Sequence, residues 1–325
     1  MSAPTSGNRR KNPKLLLAIS AALAAGGAGA AGPAPAPPAA PPAATVASPY
    51  AVAPDVSWRR LAFRASKLLV SAHAEVALEW RQAREVAPEL AETDQGAPLA
   101  PAGERVAHLT VTSNLLGRSS STQVWLDPLD LRVLQRRQLE EGKRERLKLY
   151  RFGRSGIYSR RVRPSHGERG QPLQRWTDVQ EGFEAHQEAT PVSDPSALFY
   201  WLSAIEPESL REGRTLVVYS KSLLNPVEVR YLGVEEIRVD YRLYGVADPE
   251  GNAIDVSGRV PALRFSLTPG AGGADELELL GLEGDLELHV DAEHRVPVQV
   301  SGRVPPVGKV VARLQEAWLA PQVGR

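Results

Sequence analysis

Basic side chains are concentrated between positions 132 and 163, and this stretch has the most distinctive chemistry in the sequence. It holds twelve Lys and Arg residues against three acidic ones, Glu140, Glu141 and Glu145. Guanidinium and ammonium groups at such density bind phosphates and carboxylates. The stretch therefore predicts an anion-binding face for phosphorylated lipid headgroups, lipopolysaccharide or an acidic polymer. Its candidate residues are Arg136, Arg144, Arg146, Lys148, Arg151 and Arg160.

The same stretch has a second interpretation, as a solvated outer face. Long basic side chains cover apolar surface with their stems, and they discourage pairing with another sheet edge. A later segment, 275–293, holds eight acidic residues and no Lys or Arg. If the two segments are adjacent in the fold, their charges neutralise each other.

Two clusters contain the residue types that bind metals, but we interpret neither as a metal site. The first is Glu181, Glu184, His186 and Glu188, which has no second histidine at helical spacing, so we expect a solvated acidic loop. The second is His289 and His294 with Asp291 and Glu293. We expect an exposed hairpin tip there, because metal ligands need fixed supporting contacts.

Sequence motifs for catalysis are also missing. The serines at 119–121 lack a Gly-x-Ser-x-Gly elbow, and the glycines at 270–273 precede no helix that could hold a phosphate. Cysteine is absent, which excludes disulfides, thiolate metal sites, cysteine catalysis and a lipid-modified N-terminal cysteine. The sequence therefore indicates no catalytic residues, no metal and no cofactor. Carboxylates are plentiful, so a glycosidase pair stays open.

Residues 1–30 have the order of a secretory signal: a basic region, an apolar run from Leu15, and the small residues Ala28-Gly29-Ala30. The apolar run is shorter than the ~20 residues of a membrane span, so we expect cleavage, a periplasmic or secreted protein, and no stable transmembrane span. Cleavage removes four basic residues and leaves 35 basic against 38 acidic, a formal charge of −3. That balance argues against nucleic acid as a partner.

The remainder divides into an Ala/Pro-rich linker, 31–54, and a single β-rich domain, 55–320. In the domain, short segments of alternating apolar and polar residues are separated by turn signals, as at 61–65, 227–232, 237–244 and 286–290. This spacing predicts an all-β fold, mainly antiparallel, as a barrel-like or strongly curved sheet. Pro297 predicts an edge or a bulge because it cannot donate to a ladder. Trp318 is expected in the tail.

One segment breaks the strand pattern and predicts a buried helix at about 195–205. Asp194 is expected to cap its first turn, and Pro195 to take the first helical position. A helix that is apolar on every side is buried, so we interpret the segment as structural. Its apolar residues are Leu198, Phe199, Tyr200, Trp201 and Leu202.

These residues, with three later motifs, resemble a bacterial exported family of unknown function, whose members are periplasmic and β-rich. The later motifs are Leu210 with Gly213, Arg295-Val296-Pro297-Val298 and Val307-Gly308-Lys309-Val310, and the similarity covers roughly 127–314. The resemblance implies a β-barrel-like exported domain without a known enzymatic activity. It transfers no catalytic residues.

Together these observations favour a non-enzymatic exported β domain of the cell envelope. It would bind or assemble an envelope component, with an envelope lipid, lipopolysaccharide or an envelope protein as the partner, and it could hold a lipid-like ligand between sheet and helix. Two alternatives stay open. One is a secreted glycan hydrolase that uses a carboxylate pair, and the other is a purely structural partner in an envelope complex.

Overall fold

The computed structural model describes residues 56–67, 70–115, 118–142, 145–186, 191–245, 253–270, 277–305 and 307–320. The predicted signal segment, the linker and Arg144 lie outside these residues. Of the described residues, 64% are in strands and 9% in helices, which confirms the all-β class. No helix within these ranges is long and apolar enough to cross a membrane.

Sixteen strands make one large mixed sheet that curves but is not a clean barrel. They are β1 (Trp58–Lys67), β2 (Val70–Gln82), β3 (Arg105–Leu115), β4 (Arg118–Leu126), β5 (Val133–Glu141), β6 (Arg146–Phe152), β7 (Gly156–Arg163), β8 (Asp178–Ala185), β9 (Val192–Ser193), β10 (Arg214–Ser220), β11 (Leu223–Tyr244), β12 (Ile254–Pro269), β13 (Glu278–Leu279), β14 (Leu282–Asp291), β15 (Pro297–Val304) and β16 (Gly308–Leu319). The described residues also form two α-helices, α1 (Ala83–Val86) and α2 (Ala197–Ala204), and three 3-10 turns, at Ala87–Glu89, Leu173–Arg175 and Pro207–Leu210.

Fifteen of the strands pair in the order β8-β7-β6-β5-β4-β3-β2-β1-β16-β15-β14-β12-β11-β10-β9, and β13 pairs with β14 outside this path. Neighbours in this order are mostly joined by short connections, so nearly all the described pairings are antiparallel. The parallel ones are β9 with β10, and three residues of β11 with β16. The mainly antiparallel arrangement predicted from the sequence is confirmed.

Two irregularities follow from local sequence. The predicted strands 227–232 and 237–244 are one strand, β11, with a bulge at Leu232: Tyr231 pairs with Phe265, and Gly233 pairs with the preceding residue, Arg264. At Pro297 the predicted bulge is confirmed, because β14 residues 289 and 290 pair with residues 299 and 297 of β15. Val298 is the extra residue of this bulge and has no partner on β14, which accommodates the N–H group that Pro297 lacks.

Two sequence predictions are wrong at the sheet margins. The segment at Glu181–His186 is not a loop, because residues up to Ala185 form the exposed edge strand β8. Trp318 does not lie in a tail. It belongs to β16, and its ring stacks on Tyr244 with centroids 4.9 Å apart, while the Arg60 guanidinium lies 4.3 Å from the Trp318 ring.

The predicted buried helix is confirmed, and it begins at Ala197. Residues 198–202 have no exposed surface. The predicted start is wrong by two residues, because Ser196 takes the N-cap position and Pro195 lies before the helix. Asp194 instead forms the preceding turn: its Oδ1 accepts the Ser196 backbone N–H at 2.9 Å and the Ser196 hydroxyl at 2.5 Å. The helix packs on the inner face of the sheet, where Phe199 lies 5.7 Å from Phe63 between ring centroids.

The carboxyl end of α2 is held by side chains that are distant in sequence, from the β14–β15 connection and from β1. Arg295 donates to the carbonyls of Ser203 at 3.0 Å and Ile205 at 2.5 Å, so a cation satisfies carbonyls that a helix end leaves unpaired. The Trp58 indole N–H donates to the Ser203 hydroxyl at 2.9 Å. These contacts fix the helix against the sheet.

Candidate functional site

A cavity of about 610 Å³ lies between the inner face of the sheet, the start of α2 and two hairpin turns. Strands β1 to β7 and β16 supply most of its wall, and the turns are those between β10 and β11 and between β13 and β14. Its volume falls within the ~300–1,000 Å³ of small-molecule sites.

One wall of the cavity is apolar. Phe63 is the largest side chain there, and alanines on β1, β2 and β16 leave space in front of it. Further apolar residues come from β3, from the β13–β14 turn and from the β15–β16 connection. The wall comprises Phe63, Ala65, Ala72, Ala74, Val111, Leu279, Leu280, Leu282, Val304, Val307, Val310 and Ala312.

Polarity rises from strand to strand across the inner face. Directly opposed residues on adjacent strands form continuous rows, since every pairing from β1 to β7 is in regular register over this part of the sheet. One row is Leu61, Val76, Val111, Thr122, Gln138, Lys148 and Arg161. The next is Phe63, Ala74, Ser113, Ser120, Glu140 and Arg146. Each row runs from apolar side chains through hydroxyls to charges.

The opposite wall carries four cations: Arg136, Arg146, Lys148 and Arg161. Glu140 lies between two of them, 2.6 Å from Arg146 Nη2 and 3.4 Å from Lys148 Nζ. Burial is the main cause that lowers the pKa of Lys148, and the charges of Arg146 and Arg136 add to it. The wall is therefore a half-buried region of unbalanced positive charge.

Arg136 joins this wall to the core. Its Nη1 lies 3.2 Å from Asp194 Oδ2 and donates to the Tyr219 carbonyl at 3.2 Å. Its side chain is 17% exposed and that of Asp194 is 4% exposed. The Nε atoms of Arg136 and Arg146 are buried and have no hydrogen-bond acceptor among the described residues.

The predicted anion-binding residues are divided between the two faces of the sheet. Arg136, Arg146 and Lys148 line the cavity. Arg160 points to the outer face, where its Nε lies 3.8 Å from Glu181. Sequence reasoning missed Arg161, which lines the cavity in its place.

Arg151 is buried away from the cavity, and its guanidinium binds backbone carbonyls. Burial lowers its pKa to about 10. Its guanidinium donates to three backbone carbonyls, those of Leu134 at 2.6 Å, Leu99 at 2.5 Å and Phe152 at 3.3 Å. These bonds join the β5–β6 pair to the preceding loop, so Arg151 has few donors left for a ligand.

The predicted exposed hairpin tip at His289 is wrong, because His289 and Asp291 are 3% and 2% exposed. Asp291 accepts the Tyr241 hydroxyl at 3.0 Å and the backbone N–H groups of Glu293 and His294, both at 2.9 Å. Burial lowers the pKa of His289. Within the described ranges no group of three or more His, Asp or Glu residues is arranged to hold a metal ion.

Among the described residues, no ion pair joins the acidic segment 275–293 to the basic segment 132–163. Glu283 lies 2.7 Å from Lys221, and Glu287 lies 2.7 Å from Arg264. Glu278 lines the cavity at the β13–β14 hairpin. The cavity lining as a whole holds five cations (Arg136, Arg146, Lys148, Arg161 and Lys221) and four carboxylates (Glu140, Glu141, Asp194 and Glu278), so its excess positive charge is small.

No family model, curated protein or solved structure matches this chain. The motif residues that suggested a family resemblance have structural contacts here. Leu210 is buried, Gly213 closes the 3-10 turn with φ +82, and Arg295 holds the end of α2. A positive φ of this size suits glycine, because it has no Cβ.

Proposed function

We propose that this protein is a non-enzymatic binding module that holds an anionic amphiphile in the cavity. The observation that carries the proposal is the rise in polarity along the cross-strand rows. A ligand with an apolar tail and an anionic end matches both walls at once. The tail would lie along β1, β2 and β16, and the anionic end would lie at β5, β6 and β7.

The energetics of the two walls support such a ligand. Each buried methylene contributes about 0.8 kcal/mol to binding, so a tail against the apolar wall supplies affinity. Half-buried cations carry a desolvation cost, which a bound anion offsets through charge-assisted hydrogen bonds. The hydroxyls of Ser113, Ser120 and Thr122 lie between the walls, where the polar link of an amphiphile would sit.

In this proposal the protein acts after export, in the periplasm or outside the cell. Support comes from the order of basic, apolar and small residues in 1–30 and from the resemblance to a periplasmic family. Envelope lipids and lipopolysaccharide are anionic amphiphiles of that compartment. Intact-mass analysis of the exported protein tests the point: we expect a mass without residues 1–30, and a mass that includes them contradicts export by cleavage.

The two alternatives have less support. Of the four carboxylates that line the cavity, Glu140 and Asp194 are engaged in ion pairs and Glu141 accepts the Ser119 hydroxyl, whereas a glycosidase needs one carboxyl that is ready to give up a proton. A structural partner would need a continuous apolar patch. The exposed large apolar residues are divided among several elements, with Leu232 and Val234 on β11, Val179 and Phe183 on β8, and Leu129 before β5.

An alkyl-chain series tests the proposal. Octyl, decyl and dodecyl phosphate are titrated into the full chain by calorimetry, below the concentrations at which they form micelles. Two added methylenes should strengthen binding by about 1.6 kcal/mol, roughly fifteenfold, if the tail is buried. Affinity that does not depend on chain length contradicts the proposal.

Two alanines on β2 provide a matched pair of variants. Ala74 lines the cavity, whereas Ala77 is on the same strand but not in the cavity wall. Ala74→Leu should weaken dodecyl phosphate binding by filling the space in front of Phe63, and Ala77→Leu should leave it unchanged. Equal effects of the two variants would place the ligand elsewhere.

A further inference from the structure

We infer that the tail and the anionic end of the ligand are joined by a link that carries free hydroxyl groups, as glycerol and sugars do. The inference rests on the proposed function of the cavity, and it adds the chemical class of the middle of the ligand. It is carried by a band of uncharged polar side chains that separates the apolar wall from the cations.

In the first cross-strand row the band consists of two serines. Ser113 on β3 and Ser120 on β4 are directly opposed, and both line the cavity. Ala74 on β2 pairs with Ser113 on the apolar side, and Glu140 on β5 pairs with Ser120 on the charged side. Three inter-strand steps therefore separate Ala74 from Glu140, a distance of about 14 Å.

The second row repeats this order one strand further along the sheet. Thr122 on β4 and Gln138 on β5 lie between the apolar Val111 and the cation Lys148, and all four residues line the cavity. The separation is again three inter-strand steps. The single ester oxygen of an alkyl phosphate is much shorter than this interval, whereas a glycerol unit or a sugar ring fits within it.

The side chains of the band have unused hydrogen-bonding groups. Ser113, Ser120 and Thr122 form no hydrogen bond with any residue in the described ranges. Gln138 accepts a hydrogen bond from Arg136 Nη2 at 3.4 Å, and its amide N–H groups donate to no described residue. A methylene chain over the band would take water away from these groups without giving them new partners.

Hydroxyl groups on the ligand match the band better than methylenes or charges do. A hydroxyl both donates and accepts, so it can pair with a serine, a threonine or a glutamine amide in either direction. Neither row carries a charged side chain within the band, so we expect the link itself to be neutral. The ligand would then have an apolar tail, a neutral hydroxyl-bearing link and an anionic end.

The test compares 1-dodecylglycerol 3-phosphate with 3-(dodecyloxy)propyl phosphate, its deoxy analogue, which lacks only the hydroxyl on the middle carbon of the link. Both ligands are titrated into the full chain by calorimetry, below the concentrations at which they form micelles. Their tails and phosphates are the same, so the charges of the cavity act on both equally. The glycerol ligand should bind about fivefold tighter, the effect of one net hydrogen bond.

Two double variants locate the hydroxyl contact. Ser113→Ala/Ser120→Ala removes the opposed pair of cavity hydroxyls and should abolish most of the preference for the glycerol ligand. The deoxy analogue should bind this variant as it binds the parent protein, which shows that the cavity is intact. The matched control is Thr112→Ala/Ser121→Ala, an opposed pair on the same two strands that does not line the cavity, and it should keep the preference.

Dodecyl glucoside 6-phosphate distinguishes a sugar link from a glycerol link. Its ring presents three hydroxyls to the band, whereas the glycerol link presents one. Tighter binding than that of the glycerol ligand assigns a sugar link, and weaker binding assigns a glycerol link. Free glycerol 3-phosphate has the hydroxyls but no tail, so it should bind far more weakly than either dodecyl ligand.

The outcomes separate the inference from the function it rests on. If the glycerol ligand and its deoxy analogue bind equally, or if the two double variants change the preference alike, the inference of a hydroxyl-bearing link is wrong while the amphiphile proposal stands. If no dodecyl ligand binds, or if free glycerol 3-phosphate binds as tightly as the dodecyl ligands, the amphiphile proposal itself is wrong.

Discussion

Arg136 and Asp194 form an ion pair in which Nη1 lies 3.2 Å from Oδ2. Arg136 belongs to the cationic wall on β5, and Asp194 forms the turn that leads into the buried helix α2. One contact therefore joins the proposed ligand site to the core. Its loss should affect stability as well as binding.

Replacing Arg136 tests this coupling. Arg136→Met leaves the Asp194 carboxylate buried without its cation, and breaking a buried pair in this way costs ~3–5 kcal/mol. Urea denaturation should show that loss in the free energy of unfolding. Arg137→Met, at the exposed neighbouring position, should cost little. If both variants melt alike, the ion pair does not support the fold.

The buried helix provides a second prediction. Trp201 has no exposed surface, so Trp201→Ala should cost ~3–5 kcal/mol. If Asp194 acted only as a helix cap, Asp194→Ala would lower the free energy of unfolding by about 1 kcal/mol. Because Asp194 also pairs with Arg136, we expect a loss of several kcal/mol by the same denaturation assay. A loss near 1 kcal/mol for Asp194→Ala would show that only the turn matters.

Acid sensitivity should depend on His108. Its ring is buried 4.7 Å from the Trp125 ring, and burial lowers its pKa below the ordinary 6.5. The unfolded chain therefore takes up this proton at a higher pH than the folded chain does. The free energy of unfolding is therefore highest above pH 6.5 with respect to this group, and it falls as the pH decreases toward the lowered pKa of the folded state. For one proton, the slope of that fall is at most about 1.4 kcal/mol per pH unit.

His108→Phe should consequently lose less stability than the parent protein between pH 7.5 and pH 5, measured from urea melts at each pH. His289→Gln provides a parallel case, since burial lowers the pKa of His289 too, and the double variant should flatten the profile further. A profile for His108→Phe that is as steep as that of the parent protein would contradict the assignment.

Most of the fold could be predicted from the sequence, because alternation and turn signals are local. The buried helix at 197–204 follows from apolar residues on every side. Strand β8 was missed because its residues are exposed on both faces, which leaves no alternation to detect. The extension of β16 to Trp318 depends on Tyr244 in a distant strand, which no local pattern reveals.

The site could be predicted only in part, because register decides which face a strand residue occupies. Within β6, alternation places Arg146 and Lys148 on one face. The β6–β7 pairing then puts Arg161, and not Arg160, opposite Lys148. A shift of one residue in that pairing would exchange the two. The sequence shows the density of basic residues but not this choice between neighbours.

The central claim, that a ligand occupies the cavity, can be tested directly because the chain contains no cysteine. Ser113 lines the cavity on β3, and Thr112 is exposed on the opposite face. Ser113→Cys and Thr112→Cys are each treated with a small thiosulfonate reagent, with and without saturating dodecyl phosphate, and the modification rates are measured. We predict that the ligand slows modification at position 113 severalfold and leaves position 112 unchanged. Unchanged rates at both positions, or equal slowing at both, would contradict the account.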